Sequence, residues 1–247
     1  MGSGKRFGVL NCAEDSDYVK KKYGGYFGVF VGMLAEEGED WRVFRVAFDE
    51  FPDENEIGNY DGFVITGSCN DAHGNEPWIR RLLTLLAKLD SMKIKVLGIC
   101  FGHQILGRAV GGKTGRAKSG WDIGLRTIQL SSSTSSLFNS LQIPNMLSVV
   151  EVHQDEVWEL PSTAEVLAWS NKTGIEMFRY GDHIMGIQGH PEYTNDILLH
   201  LIDRLLLNNK ITESYAQELK NGVNGRDEPP NREAWKKLCT GFLKGRL

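Results

Sequence analysis

The stretch Gly98-Ile99-Cys100-Phe101-Gly102-His103-Gln104 carries the chemistry of this chain most plainly. It follows an apolar run, Lys95-Val96-Leu97, and leads into a helical pattern over Gln104 to Val110. Cys100 is therefore expected on a sharp strand-to-helix turn, with its sulfur exposed and the first free N–H groups of the helix directed at it. Small residues flank a nucleophile at such an elbow because the turn is crowded and strained. A helix N-terminus favours negative charge, which suits a thiolate. Taken alone, the same residues also fit a buried cysteine on an ordinary βα turn.

A second motif supplies what a nucleophilic cysteine needs. Gly189-His190-Pro191-Glu192 follows the apolar run Ile184 to Ile187. Residues two apart in an extended segment point to the same side, and the residue before proline is biased toward extended geometry. His190 and Glu192 can then share one face, the carboxylate holding the imidazole in one tautomer. Cys100, His190 and Glu192 together supply a nucleophile, a base and an orienting group.

These residues need elements to position them. Strand patterns at Arg6 to Asn11, Trp41 to Phe48, Gly62 to Thr66 and Lys95 to Ile99 alternate with helical patterns at Tyr26 to Glu37 and Pro77 to Met92. Such alternation predicts an α/β fold: a flavodoxin-like, doubly wound, mostly parallel sheet with helices on both faces. From about residue 111 short alternating stretches follow, at Arg126 to Leu130, Met146 to His153, Ala164 to Ser170 and Ile175 to Arg179, which predict an antiparallel β-extension. Ser131 to Ser136 reads as a surface loop and Asn221 to Pro230 as a loop rich in Gly, Asn and Pro. Helices return at Asn195 to Leu207, Glu213 to Lys220 and Asn231 to Leu243, so residues 1–247 read as a single domain with a C-terminal helical extension at about 210–247.

In doubly wound sheets ligands bind beyond the carboxyl ends of the strands. Cys100 lies at one such end and Thr66-Gly67-Ser68-Cys69-Asn70-Asp71 at another. An oxyanion hole would take one N–H from Phe101 and a second from the loop at Gly67 and Ser68. Gly67 also fits a plain turn glycine.

Bulk properties exclude several classes. The 247 residues are 41% hydrophobic, with 28 basic and 32 acidic residues and a formal charge of -4. No basic stripe points to nucleic acid. Lys20-Lys21-Lys22 reads as a solvated helix or loop edge. No window approaches the roughly 20 apolar residues of a membrane span, and the start lacks the apolar stretch of a signal peptide. Four cysteines without CxxC spacing are expected as free thiols, and six histidines without compact ligand spacing predict neither a metal site nor another cofactor. The cytosol is the expected location.

The paired motifs, with Val152-His153-Gln154-Asp155-Glu156-Val157 between them, resemble the class I, triad-type glutamine amidotransferase signature from the first strand to about Leu207. Tyr23-Gly24-Gly25-Tyr26, Phe51-Pro52-Asp53-Glu54, His153 to Val157 and Phe242-Leu243-Lys244-Gly245-Arg246 look like the plant γ-glutamyl peptidase group, cytosolic relatives of the amidotransferase domain of GMP synthase. The resemblance implies that Cys100 attacks the γ-carbonyl of a glutamyl group, that His190 shuttles the proton and that Glu192 orients His190. It implies that Gln104 helps hold the glutamyl head group, and that backbone N–H groups at Gln154 and Asp155 receive its α-carboxylate. Gln104 also fits a first-turn residue facing solvent, and His153 a strand-end histidine with a structural bond. The chain departs from the Gly-Gly-Pro that many amidotransferases carry in the oxyanion loop, having Gly67-Ser68-Cys69 instead; this could put a second thiol near the site, but with no base to serve it Cys69 reads as a passive substitution.

The implied substrates are γ-glutamyl peptides such as glutathione and its S-conjugates, handled in sulfur-rich secondary metabolism without an obligatory protein partner. The alternative is a glutaminase subunit that passes ammonia to a separate synthase. A non-enzymatic scaffold or thiol sensor is disfavoured, since Cys100, His190 and Glu192 are all present.

Overall fold

Apolar strand runs alternating with amphipathic helices build the first half of the computed structural model, which describes residues 4–132, 141–223 and 231–247. The order is β1 (Arg6–Leu10), α1 (Asp17–Tyr23), α2 (Gly25–Leu34), β2 (Asp40–Phe44), β3 (Gly62–Ile65), α3 (Pro77–Ser91), β4 (Lys95–Ile99) and α4 (Phe101–Ala109). These four strands pair in parallel. β1, β3 and β4 are almost continuously buried because helices cover both faces, whereas β2 is half-exposed at the edge.

The second half adds β5 (Lys113–Arg116), β6 (Asp122–Leu130), β7 (Met146–His153), β8 (Asp155–Glu159), β9 (Ala164–Trp169), β10 (Met177–Tyr180) and β11 (Ile184–Ile187), then α5 (Asn195–Leu207), α6 (Glu213–Val223) and α7 (Arg232–Leu243). Among the described residues one sheet runs β2-β1-β3-β4-β11-β10-β9-β6-β7. β11 returns parallel to β4, and the four strands beyond it are antiparallel. The fold is thus α/β, a flavodoxin-like doubly wound sheet with an antiparallel extension.

Alternate residues face opposite layers. Phe7, Val9, Val64, Leu97 and Ile99 pack with Phe30 and Leu34 of α2 and with Trp235, Leu238 and Phe242 of α7. Leu10, Phe63, Ile65 and Val96 pack with α3 and α4 on the other face.

Several boundaries differ from expectation for local reasons. The strand expected at Trp41 to Phe48 stops at Phe44, because β1 ends opposite it; Val46–Phe48 form a 3-10 turn closed by Asp49 at φ 65°. α1 was not expected, although Ser16 caps it by accepting the Val19 N–H and Gly24 closes it at φ 75°. Lys20, Lys21 and Lys22 occupy its last turn, where cations complement the helix dipole. α4 begins at Phe101 rather than Gln104. β5 and β8 were missed: they are short, polar and pair only with each other. Of the loop expected at Asn221 to Pro230, residues 221–223 finish α6 and 224–230 lie outside the described residues, as do residues 133–136 of the serine-rich loop.

The β4–α4 junction leaves no room for side chains. A Cβ on Gly98 would lie 2.4 Å from the Gly102 carbonyl oxygen, and one on Gly102 would lie 2.5 Å from that of Ile65. Backbone on both sides cannot yield, so Gly98→Ala is expected to destabilise the protein by about 3 kcal/mol, read as a lowered midpoint in urea unfolding.

Candidate active site

β4 ends at Ile99 and α4 begins at Phe101, so Cys100 alone makes the turn. It adopts φ 54° and ψ -103°, a strained conformation for a residue with a Cβ. Its N–H donates to the Ile187 carbonyl at 2.9 Å, and its own carbonyl accepts the Gln104 N–H at 3.0 Å, so both neighbours fix the turn. The N–H of Phe101 precedes the helical ladder and has no intrahelical acceptor. The Phe101 ring is buried against Trp78, which leaves its main chain as the part that faces the turn. The sulfur is less open than expected, since Cys100 is 5% exposed and reached through a cleft.

β11 lies directly beside β4, with Ile187 opposite Ile99, so the chain that follows it emerges at the same end of the sheet as Cys100. The His190 N–H donates to the Val150 carbonyl of β7 at 2.7 Å. The His190 Nδ1 lies 2.8 Å from Glu192 Oε1, and the Cys100 sulfur lies close enough to the imidazole to favour its protonated form. The structure therefore brings Cys100, His190 and Glu192 into one chain of contacts. Burial alone would pull the His190 pKa down, but the Glu192 carboxylate and the Cys100 sulfur more than offset this and raise it to about 10.

The loop after β3 closes over this pair. A Cβ on Gly67 would sit 2.7 Å from His190 Cε1 and 3.7 Å from Cys100 Cβ, so a side chain there would strike the imidazole. Ser68 holds the loop: its Oγ donates to the Cys12 carbonyl at 2.7 Å and accepts the Asn70 N–H at 3.0 Å. Cys69 is exposed and lines the cleft.

The cleft encloses 590 Å³, with Cys100, His190, Gly67, Ser68, Gln104, Gln154 and Asp155 among its lining residues. Gln104 does not face solvent. It is buried, and its Nε2 donates to the Asp155 carbonyl at 2.9 Å and to Gln188 Oε1 at 3.2 Å. His153 has the structural bond that its position suggested, Nδ1 lying 2.9 Å from the Asp155 carbonyl. Asp71, His73 and Asp155 place one ligand-type atom each within 4.8 Å of one another. Arg116 already serves as their cation, 2.9 Å from Asp155 and 3.2 Å from Asp71.

The place of four residues at this site escaped the sequence reading. Tyr193 stacks on His190 with ring centroids 4.0 Å apart and planes 3° from parallel, and the ring of Tyr26 lies 6.1 Å from it. Arg232, the first residue of α7, donates to the carbonyls of Glu192 and Tyr193. Arg116 is the fourth. The one available signal was an aromatic residue immediately after His190-Pro191-Glu192.

Residues 23–203 match the family model for glutamine amidotransferase class-I. The chain belongs to that family. γ-Glutamyl peptidase 5 of Arabidopsis thaliana is 50% identical over 98% of this chain and 96% of its own length. γ-Glutamyl peptidase 3 of the same plant is 48% identical over 98% and 97%. A glutamine amidotransferase from Thermotoga maritima superposes with a TM-score of 0.71 at 21% identity, covering 97% of each chain, which shows the amidotransferase fold. Among the described residues no helix is long and apolar enough to cross a membrane.

Proposed function

We propose that the chain is a cysteine hydrolase that cleaves the γ-glutamyl amide bond of glutathione and its S-conjugates. The observation that carries this is the Cys100–His190–Glu192 relay at the floor of a 590 Å³ cleft, a volume within the range of small-molecule sites. Two relatives named γ-glutamyl peptidase that align over nearly the whole chain support the substrate class.

The geometry supports the following sequence. The Cys100 sulfur attacks the γ-carbonyl carbon, and the oxygen that gains charge is received by the N–H groups of Phe101 and Gly67. His190, held protonated by Glu192, gives its proton to the leaving nitrogen, the C–N bond breaks and a thioester remains. Water then attacks the thioester as His190 takes one of its protons. Glutamate leaves with a new C–O bond, and Cys100 is restored. Gln104, Gln154 and Asp155 hold the glutamyl head group. The carboxylates of Asp71 and Asp155 suit its ammonium.

Residues 1–247 act in this reading as one domain without an obligatory protein partner. The four cysteines, all free thiols, suit the reducing cytosol. The decisive experiment incubates purified protein with glutathione, an S-conjugate and glutamine, and follows glutamate against ammonia. Glutamate is expected from the first two; turnover of glutamine alone would instead identify an ammonia-supplying glutaminase.

Glu192 acts through the imidazole, so its loss should be milder than loss of the sulfur. Glu192→Gln is expected to lower kcat roughly 100-fold, the lower end of what positioned acid–base groups supply. The sign of the pH effect follows from the raised His190 pKa: the protonated imidazole persists through neutral pH and is lost as pH rises toward 10. Without the carboxylate the alkaline limb of the rate profile should move to lower pH, and an unmoved limb would exclude this role.

A further inference from the structure

We infer that the cleft wall formed by Tyr26, Trp121, Leu201 and Leu205, together with Arg204 and Lys210, is the leaving-group subsite, and that it takes a peptide leaving group carrying a terminal carboxylate and an apolar sulfur substituent. This rests on the γ-glutamyl hydrolase reading above. The placement follows from the proton. The leaving nitrogen must lie beside His190 to be protonated, and His190 is stacked face to face on Tyr193. Tyr193 and Tyr26 belong to the apolar cluster against which Trp121, Leu201 and Leu205 also pack. The departing amine therefore leaves along that cluster.

The two walls differ in what they offer. On the wall assigned to the glutamyl head, Gln104 is tied to Asp155 and Arg116 is paired with two carboxylates. On the other, Leu201, Arg204, Leu205 and Asn208 recur at helical spacing along one face of α5 and its end, with Lys210 just beyond. Arg204 is close enough to Tyr26 to favour its ionised form, and the Tyr26 ring lies 6.1 Å from that of Tyr193, the imidazole's stacking partner. Among the described residues neither Arg204 nor Lys210 is ion-paired, so two cations line the cleft there; Glu14, which lines the same cleft, pairs with Lys20 at 3.9 Å. Ammonia leaving from glutamine would use none of this. In a cysteinyl-glycine leaving group the terminal carboxylate reaches about 7 Å from the amine, two extended residues away, and the cysteine sulfur carries its substituent sideways onto the indole and leucines.

The test reads binding to the Cys100→Ala protein by calorimetry, with S-benzyl-glutathione and its C-terminal amide as probes. The free acid is expected to bind about tenfold more tightly than the amide, the loss expected for one charge-assisted contact at a half-exposed site. Arg204→Gln combined with Lys210→Gln should erase that difference and leave amide binding unchanged. Equal binding of acid and amide before substitution, or a preference that survives the double substitution, overturns the subsite. Because binding is read on a protein without its nucleophile, this result is independent of turnover. Failure of the unsubstituted protein to release glutamate would count against the hydrolase reading alone.

Discussion

Cys100→Ala is expected to abolish glutamate release from glutathione S-conjugates, a loss of at least about 10,000-fold in kcat. No other group shares its position: the sulfur sits on the strained turn between β4 and α4, under the Gly67 loop and in contact with His190. His190→Ala should cost a similar factor, since in the proposed sequence the same imidazole would serve the leaving nitrogen in one half-reaction and water in the other. Groups that act as a unit do not lose activity additively. The Cys100→Ala, His190→Ala double variant should therefore be little slower than either single variant in a stopped glutamate assay. Losses that multiply would mean that the two residues serve separate steps, and the relay would have to be abandoned.

The second large effect concerns α7, which the sequence presented as an appendage. Trp235 is fully buried in the cluster that holds Phe7, Val9 and Leu97 of the sheet, and its Nε1 donates to the Ser148 carbonyl at 2.8 Å. Trp235→Ala removes a large apolar side chain and strands a carbonyl, a loss of about 4 kcal/mol. For a chain of this size the melting midpoint should fall by roughly 10 °C. Arg232 lies three residues earlier and holds the carbonyls of Glu192 and Tyr193, so α7 also braces the segment that orients the imidazole. An unchanged midpoint would mean that the helix packs on a domain already complete without it.

The parallel half of the fold was legible because fully buried strands are written as uninterrupted apolar runs, and β4 and β11 were found at their observed limits. The members of the relay sit in two short motifs whose geometry is local, a glycine-flanked turn for Cys100 and a Pro-containing step for His190 and Glu192; that step is a turn, closed by the Tyr193 N–H on the His190 carbonyl at 3.3 Å, rather than the extended run expected. The rest depends on partners distant in sequence. β5 and β8 carry no apolar alternation and exist by pairing with each other. Arg116 looks like any solvated arginine until β8 brings Asp155 against it. Glu151 and Glu176 gave no sign of being fully buried, a setting in which desolvation first, and then neighbouring carboxylates, pushes their pKa values up to about 8 and about 9. Gln104 illustrates the same limit, since its spacing fits a solvent-facing helix position and only the fold turns it inward.

The neighbouring placement of β4 and β11 also sets an order on biogenesis. The strand leading to the thiol is finished on the ribosome long before the strand that will lie against it, and everything made in between belongs to other parts of the molecule. During that interval an apolar parallel strand offers unmatched amide and carbonyl groups along its outer side, the kind of margin that invites pairing with another chain. A nascent polypeptide truncated before residue 184 would thus be both inert and prone to clumping, and competence would arrive in one step as the last central strand slides home.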